Sequence, residues 1–294
     1  MQVLSHSPIN YQYPKKKEQK ALPFGMRFSL RNALPEMQNK QNKDEATSYE
    51  KKSEQVVNLY LAKEILKLNP ESDMLGLMES LGELRKVFNK KNSFNPDFGQ
   101  IKEYEIIQTK ILPSYVTKRI EDLLEKENIN LGDQGLYDDF YNFNYKCPDG
   151  KNIKLTGIFK HGENSKLYWK HPKPEDAKAA IREAHRVIIE TKDESKNLDF
   201  DSKLKKIAEV HWLLAHANLY LRGSAAVADW VVDAFASSLN IQLMPWKEGV
   251  APDRYALSAN LEDFKEEYRD LFCYKPISLS NKNMMNINEQ LIAY

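Results

Sequence analysis

Apolar positions recur at helical spacing only from about residue 53 onward. Val56, Val57, Tyr60, Leu61, Ile65 and Leu68 fall on one stripe, and Asn69-Pro70 stops it, which predicts a helix. Met74, Leu77, Met78, Leu81, Leu84, Val87 and Phe88 form a second stripe, and a third pattern from about Asp97 to Glu127 is broken or kinked at Pro113. A stretch dense in aromatics follows (Tyr137, Phe140, Tyr141, Phe143, Tyr145), closed by the turn signal Pro148-Asp149-Gly150. Short runs of strand formers at 152–158 and 166–169 flank His161-Gly162-Glu163-Asn164 and predict a hairpin. Pro174 suits the first turn of a helix carrying Ala177, Ala180, Ile181, Ala184, Val187 and Ile188. Further helices are predicted at 201–219 and 224–239. The stretch from Ile207 to His216 is apolar on nearly every face, so the first of these is expected to lie buried at the centre. The expectation is a mainly α fold, a helical bundle with one β-hairpin flap. Residues 1–52 read as a flexible N-terminal arm, 53–150 as a helical N-terminal region, 151–275 as the core and 276–294 as a C-terminal tail.

Composition narrows the function classes. The chain has 294 residues, 41% hydrophobic and 29% charged, which is the make-up of a folded protein with a sizeable core. Its 43 basic and 42 acidic side chains cancel to +1, leaving no bulk field to attract nucleic acid or an anionic membrane. No stretch reaches the ~20 apolar residues of a membrane span, and none is expected. Two cysteines far apart, Cys147 and Cys273, argue against a disulfide scaffold or a zinc ribbon and suit a reducing compartment. Both are expected to be packed or half-exposed thiols.

Candidate chemistry gathers where the central helix ends. His216 is followed within a few residues by Arg222-Gly223-Ser224, where Gly permits a tight turn and Ser suits the N-cap of the next helix. Backbone amides at that helix start, with Arg222 beside them, form a plausible anion cradle, and a neutral imidazole at His216 suits a general base. The alternatives are an ordinary capping turn and a hydrogen-bonded core histidine. His211 lies five residues earlier on a different face and reads as core. Asp229 and Asp233 share a helix face that is either solvated or a cation pair. Trp246, in the loop from Pro245 to Arg254, either packs or stacks on a ligand ring.

A strand and hairpin (Gly157-Ile158-Phe159-Lys160 to Tyr168-Trp169), a Pro-led helix, and then helix–His–loop–Gly–helix together resemble the Fic, or Fido, family over about residues 153–240. His216 falls on the motif histidine of that family's His-Pro-Phe-x-Asp/Glu-Gly-Asn-Gly-Arg-x-x-Arg loop. Tyr220 stands where the magnesium-binding acid belongs, and Ser224 and Val227 stand at the two arginine positions. The resemblance implies a Fido-like core and a transferase moving a nucleotide or sugar moiety onto a protein hydroxyl. It implies a nucleotide or nucleotide-sugar donor bound by Arg222, Gly223 and Ser224 with His216 catalytic, magnesium being doubtful and no metal site expected. Gly157, Ile158 and Phe159 would form a flap that docks the target protein. Such proteins are often bacterial effectors secreted into the host cytoplasm, with a host protein as partner. The alternative is a protein-binding module that has lost turnover.

Overall fold

The computed structural model describes residues 53, 55–89, 97–106, 112–131, 141–161, 166–247 and 249–279. The expected arm at 1–52, the hairpin tip and most of the expected tail lie outside them. Helices dominate, accompanied by small antiparallel sheets. A π-helical stretch, Val56–Leu61, runs into α1 (Ala62–Lys67), and α2 (Met74–Asn89) and α3 (Ser114–Lys126) follow. The three-stranded sheet holds β1 (Tyr141–Lys146), β2 (Asn152–His161) and β3 (Lys166–Lys170) in that order. Next come α4 (Pro174–Glu194), α5 (Phe200–Ala217) and α6 (Ser224–Ser238). Strand β4 (Ile241–Gln242), α7 (Pro252–Ala256), α8 (Leu261–Glu267) with a 3-10 turn at Tyr268–Leu271, and β5 (Ile277–Ser278) complete the order.

Helix α5 is the centre of the bundle, as its all-round apolar sequence predicts. Every residue from Ile207 to Ala217 is buried. It packs against α4, α6 and α8, and Asp199 caps its start by accepting from the Ser202 N–H at 2.7 Å. Indole N–H groups fasten the neighbouring loop: Trp212 donates to the Ala259 carbonyl at 3.0 Å and Trp169 to the Leu257 carbonyl at 3.1 Å. The ammonium of Lys192 on α4 donates to the carbonyls of Ile65, Leu66 and Leu68, closing the end of α1. No helix among the described residues is long and apolar enough to cross a membrane.

Two expectations need correction. Among the described residues, the pattern from Asp97 to Glu127 is helical only after Pro113, which stands at the N-cap of α3 with an extended backbone. Segment 97–102 instead makes bridges to the loop between α5 and α6. The aromatic stretch also contains a strand. In β1, Tyr141, Phe143 and Tyr145 alternate with Asn142, Asn144 and Lys146, and β1 pairs antiparallel with β2. A boundary at 150/151 would therefore cut the sheet, and one contiguous core joins residues from Val56 to Phe272.

Candidate functional site

Asn218 closes α5 in the left-handed region at φ 37. From there the chain runs beside segment 97–102. Lys102 donates its N–H to Leu219 at 3.0 Å, Leu221 to Gln100 at 2.8 Å, Gly99 to Arg222 at 3.0 Å and Arg222 to Asp97 at 3.1 Å. The loop expected to be an open cradle is thus lined on one side by paired backbone.

Its side chains diverge. The Arg222 guanidinium is half exposed, 3.9 Å from an Asp97 carboxylate oxygen and 5.9 Å from the Phe98 ring centroid. Gly223 sits at φ +95, where an added Cβ would meet Arg85 Cγ at 2.9 Å. The Ser224 hydroxyl accepts from the Tyr220 N–H at 3.0 Å and donates to the Tyr220 carbonyl at 3.2 Å. Ser224 thereby holds the turn and is itself buried.

His216 has no solvent exposure. Its Nε2 lies 3.0 Å from the Ala256 carbonyl, so that nitrogen carries the proton, and its ring packs on Trp212 at 4.1 Å and Phe143 at 4.7 Å. Burial pushes its pKa down to about 3. In this conformation His216, Arg222 and Ser224 do not surround one opening.

The expected flap residues are placed differently too. Gly157, Ile158 and Phe159 belong to β2, the middle strand. Gly157 pairs with Asn142 and Lys170, and Ile158 with Tyr141 and Trp169. Ile158 and Phe159 are buried. A docking edge needs unpaired backbone groups, and Gly157 and Ile158 have strands on both sides. Among the described residues β3 has a single strand neighbour, β2.

Asp229 and Asp233 are 1% and 2% exposed, which excludes a solvated face. Asp229 lies 3.6 Å from His211 Nε2, whose Nδ1 is 3.0 Å from the Tyr268 hydroxyl, so these groups form an interior polar network. Trp246 stacks on Phe272 at 4.1 Å inside the core. Cys147 is buried and Cys273 half-buried, both free.

The most unusual group went unmarked in the sequence. Lys102 is 4% exposed and its Nζ has no hydrogen-bond partner. Burial lowers its pKa to about 7. Beside it stands His171, 8% exposed, held down to about 3 by burial first, then by the Lys102 charge and by repulsion against protonating it beside His216. The Asn218 side-chain nitrogen is 2.8 Å from His171 Nδ1, and the His171 backbone N–H donates to the Ile106 carbonyl at 2.9 Å. His171 also walls a cleft of about 330 Å³ that reaches Glu105, Asn142, Lys154, Lys170 and Lys173 at the start of α4. No spacing in the sequence joins positions 102, 171 and 218. Only the pairing of segment 97–102 with the loop after α5 brings them together.

Comparison with known proteins corrects the family. A model of the AvrB_AvrC family, described as avirulence protein, matches residues 179–275, from the second turn of α4 to just past the 3-10 turn. Avirulence protein B of Pseudomonas savastanoi pv. glycinea is 38% identical over 77 residues, 26% of this chain. The chain thus matches about a quarter (24%) of the length of that curated relative. Both matches are to avirulence proteins, and they overturn the resemblance to the Fic/Fido family.

Proposed function

We propose that this chain is a bacterial effector of the avirulence type, acting in the host cytoplasm by engaging a host protein through its three-stranded sheet. The observation that carries the reading is the likeness to avirulence proteins, which falls on the helices that build the central core. The buried state of His216 favours engagement over turnover. A general base must come within hydrogen-bond reach of the proton that it removes, and the His216 ring has no solvent exposure and is walled in by Trp212 and Phe143. Strand β3 is the favoured contact edge, because an extended segment of a partner can continue a sheet only at its edge.

The test is site-specific photo-crosslinking in plant host cells. A crosslinking residue at Tyr168 on β3 is expected to trap a host protein, and the same residue at Glu125, exposed on α3, is not. Equal trapping at both positions, or none at Tyr168, would remove the sheet as the contact surface.

A further inference from the structure

We propose that the groove between the π-helical stretch Val56–Leu61 and the second half of α2 is covered by this chain's own residues 22–30, an apolar segment outside the described residues that returns onto it in extended form. This goes beyond the reading of the chain as a host-protein binder and does not depend on it.

The groove encloses about 670 Å³. Val56 and Tyr60 of the π-helical stretch form one wall, and Leu84 and Val87 of α2 form the other. Tyr60 is 38% exposed and Val87 53%, so two of the five large hydrophobic side chains exposed among the described residues share this one concave face. Apolar surface gathered in that way marks a place where something docks, whereas scattered apolar residues do not. The Glu83 carboxylate on the rim is already paired with Lys86 of its own helix. The occupant therefore needs apolar side chains and no counter-charge.

Residues 22–30 have that chemistry. In Leu22-Pro23-Phe24-Gly25-Met26-Arg27-Phe28-Ser29-Leu30 every second residue is a large apolar one. An extended backbone puts Leu22, Phe24, Met26, Phe28 and Leu30 on one face and leaves Arg27 and Ser29 on the other, toward water. The dimensions agree as well. Phe24 to Phe28 covers about 13 Å in an extended chain, and Ser80 to Val87, the part of α2 that lines the groove, rises about 10 Å. The tether ends at the groove itself, because Gln55 lines it. Residues 31–54 can reach at most about 80 Å, so the segment can return to the groove, and its attachment makes docking an intramolecular event at high effective concentration. A second copy of the chain is a poorer occupant, since seven described residues line the groove and a stable dimer uses about 20–30 residues a side.

The test is photo-crosslinking in the purified full chain, with a benzophenone side chain at Val87 and with unlabelled and ¹⁵N-labelled chains mixed before irradiation. After digestion, mass spectrometry is expected to find position 87 joined to a peptide containing residues 22–30, both halves carrying the same isotope. Phe24→Ser combined with Phe28→Ser should cut that product at least tenfold, and a benzophenone at Glu125, exposed on α3, should not form it. A benzophenone at Val87 adds bulk to the groove, so the reverse placement at Met26 is the second measurement, and it should attach to residues 55–60 or 80–87. Product joining unlabelled to labelled chains would make a second copy the occupant. Capture of a host protein at position 87 in a plant lysate, in place of the segment, would make it an outside partner. Either result overturns the proposal, as do absence of product from both placements and a yield that the double substitution leaves unchanged.

Discussion

The Lys102 backbone N–H donates to the carbonyl of Leu219 across 3.0 Å. That bond fixes an extended segment against the loop that ends the central helix. It places a buried, unpartnered amine near His171, whose ring the Asn218 side chain meets at 2.8 Å.

The Lys102 amine makes stability depend on alkaline pH in a defined direction. Its folded-state pKa, about 7, lies below the ordinary value of 10.5. The unfolded chain therefore binds the extra proton between those values, and stability falls as pH drops from about 10.5 to about 7, then levels off. Lys102→Met should remove this slope, at most about 1.4 kcal/mol per pH unit. Its stabilising effect should be largest at pH 7 and shrink toward pH 10, as read by urea unfolding at each pH.

His171 and His216 set the acid side. Both are held down to about 3 from an ordinary 6.5. The unfolded chain gains protons first, so stability is intact above about pH 6.5 and declines as pH falls toward 3. Replacing His216 with Gln should flatten part of that decline. A parallel acid limb in wild type and variant would contradict the placement of His216.

Gly223 is constrained twice, by φ +95 and by Arg85 Cγ 2.9 Å from any added Cβ. Gly223→Val should cost about 2–4 kcal/mol from left-handed strain plus overpacking. Arg222→Ala should change stability by less than about 1 kcal/mol, since its ion pair with Asp97 is long and half exposed. Denaturant midpoints compare the two directly.

Local signals predicted local structure well. Helical spacing and Pro174 mark α4, Gly223-Ser224 marks the start of α6, and strand formers on either side of 161–164 mark β2 and β3. What escaped depends on contacts distant in sequence. Segment 97–102 carries apolar residues that suit a helix, yet its backbone is satisfied by residues 219–222. Strand β1 has a two-residue alternation, but nothing in it names β2 as its partner. Asp229 and Asp233 share a face as the spacing said, though the face is turned inward. At the candidate site, adjacency in the chain suggested that His216, Arg222 and Ser224 act together, whereas α5 directs His216 to Ala256 and the turn directs Ser224 to Tyr220.

The measurement that bears most directly on engagement without transfer uses purified protein in a host-plant lysate supplied with labelled nucleotides and nucleotide sugars. Proteins crosslinked through Tyr168 are then recovered and counted for label. The account predicts a recovered host protein that carries no label, with equal recovery by the Arg222→Ala protein. Label on that protein, lost when His216 is replaced in a variant that still folds, would contradict it.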